Sequence, residues 1–203
     1  MSFPIVVLVS GEGTNLQAIL DTVHGREVEV AGVAASRAEA RGLERARAAG
    51  IETAVFAIGD YNDRAARDHA LANWIEDRGA RLVVLAGFME LLGSEFIGRF
   101  PNAIVNVHPA LLPAFPGVRA IEQMIDYGVK IGGVTVHFVD EGVDSGPIIL
   151  QRSYELPYPR DIAAIESQVH QIEHELLPEA VRLIANGKVR IDLDDPRWVV
   201  IDD

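Results

Sequence analysis

The residues with the clearest chemical potential are Asn106 and His108, in the run Ala103-Ile104-Val105-Asn106-Val107-His108-Pro109. A short apolar run of this kind reads as a buried strand. Side chains alternate faces along a strand, so Asn106 and His108 project to the same side. Pro109 has no N–H to give to a ladder and is expected to end the strand. The pattern places an amide and an imidazole side by side where a sheet opens into a loop. Ligands collect outside the carboxyl ends of strands in open parallel sheets. An amide able to donate to a developing oxyanion, beside a histidine able to move protons, points to carbonyl chemistry.

The elements that must position this pair alternate between strand-like and helix-like segments, which predicts βαβ units and an α/β protein with a mainly parallel sheet. Strands are expected at 5–9, 28–35, 53–57, 82–86 and 103–108, and helices at 15–23, 38–49, 63–78 and 94–100. Asn62 or Asp63 can cap the third helix and Gly79 can close it. Residues 109–117 contain Pro109, Pro113, Pro116 and Gly117, a long irregular loop of the kind that is usually functional. A helix over 119–127 follows. Strands at 134–139 and 148–154 are joined by a loop rather than a helix, so they are expected to pair antiparallel. Asp161 caps a long helix through Asn186, with a kink or break expected at Pro178. Small strands are expected at 189–193 and 198–201. No repeat, low-complexity tract or linker interrupts the chain, so the simplest organisation is one domain over 1–203.

Ser10-Gly11-Glu12-Gly13-Thr14-Asn15-Leu16 lies between the first strand and the first helix. Glycines there let backbone N–H groups approach a phosphate, and the helix N-terminus adds a favourable dipole. A dinucleotide fingerprint needs a glycine at position 16, which is leucine, and the lysine of a Walker loop is absent. A monophosphate site and a tight turn without ligand both fit the loop. Glu12 must point away from any phosphate. The second glycine-rich connection, Asp140-Glu141-Gly142-Val143-Asp144-Ser145-Gly146-Pro147, lacks EF-hand spacing. It reads as a solvated turn, or as the source of a carboxylate that orients His108 and favours its charged form. His137, on the strand before it, reads as structural.

Bulk properties narrow the function classes. A formal net charge of −12 disfavours general nucleic-acid or anionic-membrane binding. The absence of cysteine excludes disulfides, thiolate zinc sites and cysteine nucleophiles. No segment is long and apolar enough to span a bilayer. Met1-Ser2-Phe3-Pro4 followed by Ile5–Val9 lacks a basic leader and reads as a first strand rather than a signal peptide. The expected location is the cytoplasm.

Four segments together resemble the phosphoribosylglycinamide formyltransferases, folate-dependent enzymes of purine synthesis. They are Ser10 through Ala18, Leu82-Val83-Val84-Leu85-Ala86-Gly87-Phe88-Met89, Asn106 through Pro113, and Gly133 through Val139 running on to Asp144-Ser145-Gly146-Pro147. The likeness extends over nearly the whole chain and thins after Gly187. The resemblance implies a Rossmann-like formyltransferase fold, a mainly parallel twisted sheet with helices on both faces. It implies a phosphate-binding half at about 1–100, a catalytic and folate-binding half at about 101–187, and a short tail. It also implies transfer of a formyl group from 10-formyltetrahydrofolate, as co-substrate and without metal, to the amine of glycinamide ribonucleotide.

By that likeness Asn106, His108 and Asp144 are catalytic. The ribonucleotide maps onto Gly11, Glu12, Gly13, Thr14, Asn15, His170 and Glu173. The folate maps onto Arg64, Met89, Glu90, Leu91, Leu92, Asn106, Val139, Asp140, Glu141 and Asp144. Phe88, Met89, Leu91 and Leu92 are expected to form an apolar wall for the pterin. Helical spacing is expected to put His170 and Glu173 on one face. Two positions depart from the family: Glu90 stands where arginine is common, and His170 where glutamine or lysine is.

The implied partners are small molecules, with neither nucleic acid nor membrane, and the protein is expected to be a monomer or homodimer. The main alternative is 10-formyltetrahydrofolate deformylase, a hydrolase that shares a similar trio and usually carries an additional N-terminal domain. Methionyl-tRNA formyltransferase needs a further C-terminal domain, and acidity argues against tRNA. A catalytically silent nucleotide-binding domain is the alternative from another class, and the intact trio weighs against it.

Overall fold

A computed structural model describes residues 2–158 and 161–202. Seven strands make one sheet in the order β3-β2-β1-β4-β5-β6-β7. The chain divides into two compact units, 1–105 and 106–203, with the division falling inside strand β5, Ile104–His108.

The first unit is a parallel α/β array. Its elements are β1 (Phe3–Val9), α1 (Thr14–Thr22), β2 (Val28–Ala35), α2 (Gly42–Ala48), β3 (Thr53–Val55), α3 (Arg64–Glu76), β4 (Leu82–Leu85) and α4 (Ser94–Arg99). β1 pairs in parallel with β2 on one side and β4 on the other, and β3 extends the sheet beyond β2. Ile5 through Val9 are completely buried, as expected for a parallel strand covered on both faces. The chain turns from β1 towards β2 and later returns to β4 on the opposite side. The loops after β1 and β4 therefore flank a topological switch point, where open α/β sheets bind ligands.

The second unit carries the other edge. β6 (Ile131–Phe138) and β7 (Ile148–Glu155) pair antiparallel, with a register shift at Val136/His137. α5 covers Ala120–Tyr127 and α6 covers Ile162–Ala185. β8 (Val189–Ile191) and β9 (Val199–Ile201) form a separate two-stranded sheet. Among the described residues no helix is long and apolar enough to cross a membrane.

Element types follow the alternation seen in the sequence, and the differences have local causes. α2 starts at Gly42 instead of Ala38, because residues 38–41 are used in turns closed by Ala40 N–H to Arg37 and Leu43 N–H to Ala40. β6 starts at Ile131, earlier than expected, and includes Gly132 and Gly133. Those glycines answer to packing rather than to a turn: a Cβ on Gly133 would lie 2.3 Å from Leu111 Cδ2. The break expected at Pro178 does not occur, since α6 runs through it. Leu176, Leu177, Ala180 and Val181 are all buried around it, and tertiary packing of that apolar face outweighs one missing N–H. The caps expected at the starts of α3 and α6 are formed: Asp63 and Asp161 accept from the N–H groups of Ala66 and Ala164.

Gly13 shows how tightly the first loop is packed. Its φ is +70°, and a Cβ there would lie 2.5 Å from Gly42 Cα at the start of α2. Gly13→Ala combines a left-handed alanine with a backbone clash. It is expected to cost on the order of 2–4 kcal/mol, read from the urea midpoint at unchanged m-value.

Candidate active site

Asn106 and His108 leave the same face of β5, as strand alternation requires, and both reach Asp144 in the connection after β6. The Asp144 carboxylate has two neighbours on each oxygen. Oδ1 faces Asn106 Nδ2 at 3.4 Å and His137 Nε2 at 3.6 Å. Oδ2 faces His108 Nδ1 at 3.3 Å and accepts from the Gly117 N–H at 2.7 Å. Both imidazoles are buried, and the Asp144 side chain is 14% exposed. Burial pushes the Asp144 carboxyl upward. The hydrogen bond from His137, the Gly117 N–H and the two imidazole charges outweigh burial and hold it below its usual 3.8. Asp144 itself has φ 51°, the left-handed region, an uncommon position that aspartate tolerates better than most residues.

The partners of the imidazoles define their protons. His108 Nε2 lies 2.8 Å from the Phe115 carbonyl, which can only accept. Its Nδ1 faces a carboxylate, which when ionised also only accepts. Both neighbours of His108 are acceptors, so each ring nitrogen has a partner when it carries a proton. His137 Nδ1 donates to the Phe138 carbonyl at 2.7 Å, leaving Nε2 3.3 Å from Asn106 Nδ2. That Nε2 accepts from Asn106 when His137 is neutral and donates towards Asp144 when it is charged. His137, read from sequence as structural, is thus a member of the cluster. The signal available in the sequence was its own strand register, one strand over from Asn106.

The proline loop 109–117 supplies backbone groups to this cluster. Thr135, fully buried, donates to the Ala110 carbonyl at 2.7 Å and accepts from Leu112 N–H at 3.2 Å. Gln151 on β7 donates to the Leu112 carbonyl at 2.9 Å. From that anchored start the loop delivers the Phe115 carbonyl to His108 and the Gly117 N–H to Asp144. Asp140 has a local role: it accepts from Gly142 N–H at 3.0 Å and Ser145 Oγ at 2.7 Å, shaping the connection that presents Asp144. Glu141 is exposed, and Val139 is half-buried.

In the first unit, the carbonyls of the glycine loop are committed to the α2 side. The Ser10 carbonyl accepts from Arg37, that of Gly11 from Gly42 N–H at 3.1 Å, and that of Glu12 from Arg45 Nε at 2.8 Å. The Glu12 side chain is drawn the same way, to Arg41 at 3.1 Å. The N–H groups of Gly11, Glu12, Gly13 and Thr14 have no hydrogen-bond partner among the described residues. Four successive N–H groups without a protein partner are an arrangement that can accept an anion.

The loop after β4 is tied to the glycine loop. Ser10 N–H donates to the Gly87 carbonyl at 3.1 Å, and Met89 N–H donates to Ser10 Oγ at 2.9 Å. Met89 and Leu91 are 70% and 63% exposed, large apolar side chains held at the surface. Leu92 is half-buried. Phe88, expected in the same wall, is instead buried, with the Arg67 guanidinium 5.9 Å from its ring centre. Glu90 forms no ion pair among the described residues. Arg64, exposed at the first turn of α3, lines a cleft of about 440 Å³ with Gly93, Ser94 and Arg99.

Residues 3–181 match the family described as formyl transferase. Phosphoribosylglycinamide formyltransferase of Haemophilus influenzae is 36% identical over 92% of this chain and 89% of its own length. The chain belongs to the phosphoribosylglycinamide formyltransferase family. Its backbone superposes on glycinamide ribonucleotide transformylase 1 from Symbiobacterium toebii with a TM-score of 0.93 and 45% identity, covering 100% of this chain and 95% of that one. The trifunctional purine biosynthetic protein adenosine-3 of Bos taurus is 39% identical over 92% of this chain, which spans only 19% of that longer protein.

The two α6 positions that the resemblance points to differ in burial. Glu173 is buried, whereas His170 is exposed and stacks on His174 with ring centroids 6.2 Å apart. Both lie in one continuous helix, and three residues leave about 60° of rotation, so they are neighbours on α6 with Glu173 nearer the core.

A depressed carboxylate fixes the sign of a pH effect. The unfolded chain protonates Asp144 more readily than the folded protein does. Its stabilising contribution is therefore complete above the ordinary carboxylate range and is lost as pH falls through the folded value. Asn tolerates the same backbone and removes the charge. Asp144→Asn is expected to be less stable than wild type at neutral pH, with the difference closing in acid. Urea unfolding of both proteins across that range measures it, and a gap that does not shrink with pH removes the ionic contribution.

Proposed function

We propose that this chain transfers a formyl group from 10-formyltetrahydrofolate to the amine of N1-(5-phosphoribosyl)glycinamide, a step of de novo purine (IMP) biosynthesis, with Asn106, His108 and Asp144 as its catalytic residues. The observation that carries the reading is the Asp144 carboxylate with Asn106, His108, His137 and the Gly117 N–H around it. Charge building on a formyl oxygen needs donors, and the Asn106 amide and a protonated His108 are such donors. Both rest on protein acceptors, Asn106 on Asp144 and His108 Nε2 on the Phe115 carbonyl, and turn to the formyl oxygen as hydrogen-bond donors that keep their protons. The folate supplies the activated formyl carbon. The new C–N bond forms at the substrate amine as the old one to N10 breaks, and the proton lost by the amine is returned to N10. Asp144 keeps His108 charged and accepts and relays that proton, through a water.

The binding residues follow the same reading. The four unpaired N–H groups of residues 11–14 suit the ribonucleotide phosphate, with Asn15 completing the loop and Glu173 and His170 contributing from α6. Met89, Leu91 and Leu92 suit a flat pterin. Val139, Asp140, Glu141 and Asp144 supply the polar edge, with Arg64 and Glu90 towards the folate tail. An arginine at position 90 would attract an anionic tail. Glu90 repels it, so donor binding rests on backbone and apolar contacts. The functional unit is a single formyltransferase domain, monomeric or homodimeric, working on small molecules in the cytoplasm, in keeping with its net charge of −12.

The deciding assay follows folate absorbance with and without glycinamide ribonucleotide. Turnover is expected only with the amine present. Equal turnover without it, with water as acceptor, would make the chain a hydrolase. His108→Ala is expected to lower kcat by about 10²–10⁴-fold with substrate binding retained, and wild-type turnover would sink its assigned role.

A further inference from the structure

α3 carries a charged pair that the chemistry above does not use. Arg67 is completely buried, and Asp68 beside it is 4% exposed. Their ion pair, Nε to Oδ1, is 2.7 Å. Consecutive helix residues normally project in different directions, and burying two charges requires strong compensation. Here both side chains reach from the helix to one irregular segment. Arg67 Nη2 donates to the Leu91 carbonyl at 3.1 Å, and Asp68 Oδ2 accepts from the Gly93 N–H at 2.8 Å. The guanidinium also lies 5.9 Å from the centre of the Phe88 ring, within cation–π range. With Met89 N–H held by Ser10, the backbone is pinned at 89, 91 and 93, every second residue. Between those pins Met89 and Leu91 stay exposed.

We propose that Arg67 and Asp68 are positioning residues that clamp the backbone of the 89–93 segment into the shape that receives the folate donor. The inference rests on the reading of Met89 to Leu92 as folate-binding. A hydrophobic surface strand without regular hydrogen bonds loses conformational freedom when a ligand docks on it. Pinning it beforehand moves that cost from binding to folding. Arg67 is completely buried and acts through the Leu91 carbonyl, and Asp68, which lines the same cleft as Arg64, acts through the Gly93 N–H. The ion pair, the Leu91 carbonyl and the Phe88 ring offset part of the cost of burying the guanidinium, whose Nη1 has no hydrogen-bond partner.

Steady-state kinetics with both substrates varied test it. Arg67→Met keeps the unbranched stem and removes the fork. It is expected to raise the donor KM about tenfold, while the acceptor KM and the saturating kcat change by less than about twofold. Arg67→Lys keeps a charge opposite Asp68 and is expected to fall between. Asp68→Asn can still accept from Gly93 but leaves Arg67 without its counter-charge, and is expected to move in the same direction. Hydrogen exchange at the Gly93 amide is expected to quicken in each. Should Arg67→Met fail to fold, Arg67→Lys and Asp68→Asn carry the same comparison. An unchanged donor KM in folded variants, or both KM values rising together, overturns the clamp. Met89→Asp separates the two readings. If it weakens donor binding while the Arg67 and Asp68 variants do not, the clamp alone fails. If none of them does, the folate assignment fails and the clamp with it.

Discussion

A carboxylate taken partly out of water must be met by donors, and Asp144 is met by groups drawn from separate stretches of chain. Asn106 and His108 come from β5, His137 from β6 and an N–H from the proline loop. Each of those groups is then constrained by the charge it faces. His108 lies between that carboxylate and the Phe115 carbonyl, two acceptors. The left-handed backbone at Asp144 persists because four neighbours overdetermine it. A fully satisfied polar network of this kind rigidifies a site, and the same network becomes costly if one member is lost.

Backbone groups carry much of the remaining organisation. The proline loop has no regular structure, yet Thr135 and Gln151 hold its first residues and its last ones serve His108 and Asp144. The glycine loop works by the complementary device. Its carbonyls are occupied by Arg37, Gly42 and Arg45, while the N–H groups of residues 11–14 have no partner among the described residues. The segment after β4 is pinned through its backbone while Met89 and Leu91 stay exposed. In each case hydrogen bonds from outside the segment fix an irregular backbone. This is preorganisation achieved with hydrogen bonds that need no regular ladder.

Glu90 sits in a segment held by backbone contacts at 89, 91 and 93, so the path of the chain there is set by groups other than its own side chain.

The sequence by itself determined the class of fold, the order of elements and the pairing of Asn106 with His108 on one strand face. Those properties rest on local periodicity, on caps such as Asp63 and Asp161, and on the inability of Pro109 to continue a ladder. It also distinguished the first loop from a dinucleotide fingerprint, because a single residue, Leu16, decides that. The tertiary structure decided which of three carboxylates in the connection after β6 reaches the imidazole, since Asn106 and Asp144 are 38 positions apart and no local rule spans them. It brought His137 into the cluster through the pairing of neighbouring strands. It turned Phe88 into the core, buried Glu173 while leaving its helix neighbour His170 exposed, and carried α6 through Pro178. Local patterns state which residues can share a face. The path of the backbone and the burial around it state which face meets which, and charge compensation in a partly dry site then selects the arrangement that survives.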